Sequence, residues 1–378
     1  MLKPFEKIKS KYFERWIPGY LAHVRRNAFA PRPPGTRHVL FAVCDHYEPL
    51  WAGAGLEVGT ARVERWRDAY PKLVEPFVDA DGRRPQHSFF FPGEEYRPVF
   101  FDLLEELVRA RLGEVELHLH HDGETAETLT RSINTYLDWY GQRGHLARDA
   151  TGRLRYGFIH GNWALANARP DGRWCGVDDE LQVLFDTGCY ADYTFPSVPD
   201  VSQPGIVNQI YWPTGDLSRR RAYEQGVEAH VGQSFSDRIM MIQGPLALAR
   251  REGRLGGRIE HGALTDKDPV TPRRVSNWVR QNIHVCGRPE WVFVKVYMHG
   301  APEAQAAAYL GESGRVLHET LCSEFNDGER FKLHYVTARE MYNIALAAMA
   351  GRDGDPGQYR DYQLGPPPIL RDAHGTGA

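Results

Sequence analysis

Residues 113–124 read GEVELHLHHDGE. Side chains of a strand alternate between its two faces, so His118 and His120 point one way while Leu117 and Leu119 face the other layer. His121 then stands at the turn, followed by Asp122 and Gly123. Imidazole is the commonest protein ligand for a divalent transition metal, and two on one strand face need little further adjustment to meet one ion. Three histidines within four residues at the C-terminal end of a strand therefore point to a metal site. The competing reading is a polar turn whose histidines are held by hydrogen bonds.

Outward from this stretch, apolar runs of strand length alternate with helical patterns. RHVLFAVCD (37–45) stops at Asp45, and a helix opening near Thr60 repeats Val63, Trp66, Tyr70, Val74 and Phe77 on one face. QHSFFFPGEEY (86–96) precedes a helix with Leu103, Leu104 and Leu107 inward, and the histidine strand precedes one with Leu129, Ile133 and Leu137 on a stripe. RYGFIHGNW, IVNQIYW, RIMMIQGP, WVFVKVYMHG and FKLHYVT continue the series, and AREMYNIALAAMA is the last helix. The expected fold is α/β: one (β/α) barrel domain over residues 37–350, distorted, with seven or eight strands. An open doubly wound sheet is the structural rival, but no glycine-rich phosphate loop follows any strand.

Composition narrows the function. A net charge of −3 over 378 residues argues against a nucleic-acid partner, and Arg219, Arg220 and Arg221 read as a solvated loop. Five scattered cysteines without paired zinc spacing read as reduced thiols of a cytoplasmic protein. No stretch approaches the ~20 apolar residues of a membrane span. Residues 1–30 form a basic amphipathic segment without the apolar core of a secretory signal. A helix packed on the domain is expected there, with weak membrane-surface contact as the lesser role. From Arg352 the chain turns rich in Gly, Pro and Asp, so 352–378 is expected to be a mobile tail.

Polar residues gather where the strands end: Asp45 and His46, Glu94 and Glu95, the three histidines, His160 with Asn162 and Trp163, Asp192, and His299. Active sites of α/β barrels collect at the C-terminal strand ends. Asp45, His118 and His120 would give an ion, zinc by preference, three ligands and leave one position open, as in a catalytic site. His299 is the candidate general acid, and Asp45 or Glu48 the base. His46, Glu48, Glu94, Glu95, His121, His160, Asn162, Trp163 and Asp192 are the candidate substrate contacts. Trp51, Tyr190, Tyr193 and Phe195 lie in the same loops, where aromatic faces can stack on sugars.

Several blocks resemble the polysaccharide deacetylase (NodB-like) group of the glycoside hydrolase and deacetylase barrel superfamily. They are FAVCDHYEP (41–49), ELHLHHDGE (116–124), FDTGCYADYTFPS (185–197), VFVKVYMHG (292–300) and HYVTAREM (334–341). The likeness spans roughly 37–350. It implies a barrel, a divalent metal, and hydrolysis of an acetyl group from a carbohydrate. Asp45 would be base or ligand, His118 and His120 ligands, His299 the acid, and His160 or Asn162 would assist the oxyanion. The chain departs from the pattern at three places. His46 follows Asp45 where two aspartates are usual, His118, His120 and His121 replace two histidines four apart, and IHGNW replaces an Arg-Pro motif. Two further expectations stand beside it: a metal-independent glycoside hydrolase with paired carboxylates, and a non-catalytic glycan-binding protein on the same barrel.

Overall fold

The strand that opens the domain, β1 (Arg37–His46), is buried at every position after the first, as a parallel strand covered on both faces must be. The computed structural model describes residues 11–30, 33–250, 252–253 and 256–371. Along one edge β1 runs parallel to β12 (Trp291–Met298). Its other edge is shared: β13 (Phe331–Tyr335) pairs with residues 37–41, and β2 (His87–Pro92) with residues 43–46. Beyond β2 come β3 (Gly113–Leu119), β4 (Leu154–His160) and β5 (Cys189–Asp192), all parallel. A short strand, Ala147–Arg148, folds back antiparallel on β4.

The class is as expected: one α/β domain with a large, mostly parallel sheet. The parallel pattern breaks after β8 (Met240–Ile242), where β6 (Ile210–Pro213) and β7 (Gly226–Glu228) join antiparallel. Among the described residues the ladder ends at β7 on one side and at β11 (Ala263–Leu264) on the other. A separate hairpin, β9 (Ala247–Arg250) with β10 (Gly257–Glu260), stands apart from the sheet.

One face of the sheet carries the outer helices: α2 (Leu56–Val74), α3 (Pro98–Arg109), α4 (Ala126–Gln142), α5 (Glu180–Thr187), α6 (Pro272–Arg280) and α8 (Glu312–Phe325). Val39, Phe41 and Val43 of β1 and Val115, Leu117 and Leu119 of β3 pack there against Trp66, Leu104, Leu129 and Leu317. The short α7 (Glu303–Tyr309) precedes α8. The other face, with Leu40, Ala42, Cys44, Phe90 and Phe293, closes on α9 (Ala338–Met349). Thr337 and Glu340 form a capping box at its start, and every residue but Leu346 is buried. Its apolar residues face the sheet core, and its buried Arg339, Glu340 and Asn343 are each held by a hydrogen-bonded partner.

The N-terminal helix α1 (Phe13–Phe29) buries Trp16 and Tyr20 against Val198, Val207 and Leu246, so it packs on the domain. The first ten residues lie outside the described chain. The stretch from Arg352 departs from the expected mobile tail as far as Arg371. Arg360 is buried and pairs with Asp79, Asp81 and Glu340, and the terminal helix α10 (Pro368–Arg371) buries Ile369 and Leu370. An internal ion-pair partner outweighs the Gly/Pro composition there; residues 372–378 lie outside the described chain. No helix among the described residues is long and apolar enough to cross a membrane.

Candidate metal centre

The alternation of β3 lays four polar residues on its inner face. Glu114 meets Arg339, Glu116 takes the Tyr190 hydroxyl and the Gly157 N–H, and His118 and His120 emerge at the end of the strand. Glu48, two residues past β1, is completely buried and turns its carboxylate toward them. Its Oε1 lies 3.3 Å from His118 Nε2 and 3.1 Å from His120 Nε2, and its Oε2 lies 2.8 Å from Nδ1 of His299, which follows β12. The His46 ring completes the group, centred 4.7 Å from that of His118 and 4.6 Å from that of His299. The candidate ligand atoms of His46, Glu48 and His118 all lie within 4.8 Å of one another.

Counting protons shows that this set suits a cation. His118 Nδ1 faces the Ile159 carbonyl at 2.8 Å, so it carries the hydrogen and Nε2 is left with a lone pair. Burial, with His120 beside it, holds His118 below its ordinary pKa and therefore neutral. The lone pair then confronts a carboxylate oxygen across 3.3 Å. Burial alone would push Glu48 up, but hydrogen bonds from His120 and His299 hold it well below the usual carboxylate range. Burial also keeps His46 well below its ordinary value, helped by His299 and His118. Two neutral imidazoles and an ionised carboxylate are the donor set that divalent zinc takes, and a ring fixed through its other nitrogen by a carbonyl is the usual support for a ligating histidine.

His120 differs. Burial works against its charge, but Glu48 and Glu94 outweigh that and raise it to about 10. Glu94 Oε1 accepts from His120 Nδ1 at 2.8 Å and from its backbone N–H at 3.0 Å. At the rim, His120 and His299 keep 29% and 24% of their side chains exposed, and Trp51 stands 5.3 Å from the His299 ring, 42% exposed. Glu95 bonds the Leu50 N–H, and burial raises it to about 7.

The structure sorts the other expected residues differently. Asp45 does not join His118 and His120: its Oδ2 accepts from His87 Nε2 at 2.9 Å and its Oδ1 from the Gly300 N–H at 2.6 Å. The alternation of β1 gives that end of the strand to His46 instead. Asp192 is buried with both oxygens on Thr194, where burial raises it to about 7, so it shapes a turn rather than meeting a substrate. Asn162 and Trp163 follow β4 with positive φ, the first exposed and the second half-buried. His121 and His160 leave the Glu48 group altogether and gather with Cys175 and Glu180. Tyr190, Tyr193 and Phe195 are core residues rather than sugar platforms.

A cavity of about 1160 Å³ runs along the β9–β10 hairpin and is lined by Arg258, His261 and Arg274 rather than by these histidines. Glu260 and Asp268 already pair with its arginines, so the reactive groups lie with the Glu48 centre. No family model, curated protein or solved structure matches the chain.

Proposed function

We propose that this protein is a metal-dependent hydrolase that removes an acetyl group from a carbohydrate, with a divalent ion, zinc by its donor set, held by His46, Glu48 and His118. The observation that carries the reading is the buried Glu48 carboxylate shared by His118, His120 and His299 at the open end of the strands. When bound, the ion supplies Lewis acidity toward a carbonyl and a water that is nucleophilic near neutral pH. The side chains around it supply the rest. His299 gives its Nδ1–H to Glu48, which turns the Nε2 lone pair outward, where it would take the proton of the attacking water and pass it to the departing sugar oxygen or nitrogen. His120, kept charged by two carboxylates, sets a positive group at the rim where negative charge develops on the attacked carbonyl. Trp51 presents an apolar face to a sugar ring.

The same reading takes the sheet as a distorted barrel. Support comes from the gap in the ladder, where Cys286 N–H bonds the Ala229 carbonyl at 2.8 Å and Val231 N–H bonds the Cys286 carbonyl at 2.9 Å. Lys295 of β12 also reaches the carbonyls of Tyr193 and Phe195 beyond β5, at 2.6 and 2.7 Å.

The test is acetate release from a panel of acetylated glycans and sugars by protein purified without chelator, after metal removal, and after zinc return. Activity that follows the metal and disappears in folded His118→Ala supports the assignment. Metal-loaded, folded protein that releases no acetate from the panel would remove it.

One observation favours a second reading. Glu48 and Glu95 are driven in opposite directions, one well below and the other up to about 7, and such a split is how a glycoside hydrolase divides nucleophile from acid. Cleavage of an aryl glycoside in excess chelator would select it. The hold of His120 and His299 on Glu48 weighs against it.

A further inference from the structure

We propose that His121, His160, Cys175 and Glu180 form a second metal site, a closed four-ligand zinc centre whose role is structural. It is separate from the Glu48 centre and does not depend on the reading of that centre. The four residues come from the turn after β3, the end of β4, the β4–α5 connection and the first residue of α5, and all are buried. Their candidate ligand atoms lie within 4.8 Å of one another. Nitrogen, sulfur and oxygen donors in this number are a tetrahedral zinc set, and no position is left for water or substrate, which is the mark of a structural site. A thiolate and a carboxylate would also balance the charge of a divalent ion, so the buried group would be neutral as a whole.

The hydrogen bonds leave a gap that a cation fills. His160 Nδ1–H donates to the Gly161 carbonyl, so Nε2 bears a lone pair; it has no hydrogen-bond partner and faces Glu180 Oε1 at 3.4 Å. His121 Nε2 approaches the same oxygen at 2.9 Å. Glu180 Oε2 already accepts the Ala166 N–H at 2.6 Å and stands 3.4 Å from Cys175 Sγ. That sulfur receives two backbone N–H groups, from Asn167 at 3.3 Å and Val177 at 3.4 Å, which is how a protein supports a thiolate. The unpartnered His160 lone pair, the Glu180 carboxylate and the Cys175 sulfur therefore face one point, where His121 Nε2 and Cys175 Sγ each hold a proton toward Glu180 that an ion would displace. A third cluster, His38 with His334 and Asp355, shows the contrast: His38 Nδ1–H donates to His334 Nε2 at 2.8 Å, and His334 Nδ1–H donates to Asp81 at 2.9 Å. Protons suffice there, and no ion is required.

The ion would fasten a connection that has little regular structure of its own. Between β4 and α5 lie residues 161–179, an irregular stretch of a length uncommon inside a compact domain without a staple. Asn162 and Trp163 ride on this connection. His121 is the neighbour of His120, so the second ion would also set the strand end that presents His120 to Glu48.

The test uses the full chain and needs no substrate. Metal-depleted protein loaded with cobalt(II) is expected to show an intense near-ultraviolet thiolate-to-cobalt band, lost in Cys175→Ser and kept in His118→Ala. Protein purified without chelator or a metal-affinity tag is expected to hold one ion per chain more than Cys175→Ser does. A folded wild-type protein that takes up no cobalt, or takes it up without a thiolate band, overturns the site. So does a folded Cys175→Ser whose metal content equals the wild type. Should Cys175→Ser not fold, the wild-type cobalt spectrum decides alone.

Discussion

Asp45 and His46 are consecutive in β1 and serve opposite faces of it. The Asp45 carboxylate is locked between His87 and the Gly300 N–H, under Trp66, whereas the His46 ring stands 4.7 Å from His118 at the open end of the strands. One residue of register thus separates a framework group from a ligand. Asp45 ties the end of β1 to β2 and to the turn after β12, the turn that carries His299. Its effect on the site runs through position.

Truncation of Asp45 is therefore a stability experiment. Asp45→Ala leaves a buried imidazole and a buried N–H without their acceptor, and a loss of about 3–5 kcal/mol is expected for breaking such a pair from one side. Urea unfolding and metal analysis on the same preparation check it. Reduced stability with metal retained is the expected pair of results; loss of metal with unchanged stability would make Asp45 a ligand after all.

His299→Gln separates proton delivery from metal binding. His299 touches Glu48 Oε2 only through Nδ1 and is not part of the His46, Glu48 and His118 set. Acetate release should fall by roughly 10²–10⁴-fold, the usual worth of a positioned acid, with metal content unchanged. A variant that keeps full turnover would take His299 out of the chemistry.

How much of this could be read from the chain is seen in particular residues. The alternation from Leu117 to His120 needs only the strand period, and the inner face it defines is the one that meets Glu48. The same parity counted along β1 places His46, not Asp45, with Cys44 and Ala42 on the inner side, a signal that the strand period carries and the family resemblance overrides. Glu180 and Cys175 carried no such signal. They reach His121 and His160 only because an irregular connection returns to the strand ends, and no periodicity encodes the path of a loop. Strand direction is equally silent, so the antiparallel turn at β6, β7 and β8 came from the structure alone. Arg360 belongs to the same class: composition spoke for a loose tail, and the partners that bury it, Asp79, Asp81 and Glu340, are distant in sequence or in another element.

Acid sensitivity follows from His318. It is buried against Phe77 and Tyr335, and burial, with His87 nearby, lowers it from 6.5 to about 3. Between those values the unfolded chain binds a proton that the folded chain refuses. The stability contribution is thus complete above pH 6.5 and is lost as pH falls toward about 3, at up to ~1.4 kcal/mol per pH unit. His318→Asn can keep a bond to the Tyr335 hydroxyl while removing the titration. The shift in urea midpoint between neutrality and about pH 5 should be smaller for the variant than for the wild type, by the share that His318 contributes. Equal shifts in the two proteins would mean that other groups govern the acid limb.

The start of β3 offers a test of how the interior tolerates charge. Glu114 accepts from Arg339 through two parallel bonds, 2.9 and 2.8 Å long, and both side chains are almost wholly buried. Arg339 also binds Asp361 and the Leu364 carbonyl, so it anchors the 352–371 segment to the inner helix α9. Burial raises Glu114, and the arginine works against that rise. Arg339→Met removes the compensation and leaves a carboxylate in an apolar site, for which a cost of about 3–5 kcal/mol is expected. Glu114→Leu combined with Arg339→Met removes both charges, and the double variant should recover at least half of that loss, since paired burial costs more desolvation than it returns. A double variant no more stable than Arg339→Met alone would locate the loss in the bonds to Asp361 and Leu364 instead. Arg339 would then act mainly as a clamp on the C-terminal segment rather than as a partner for Glu114.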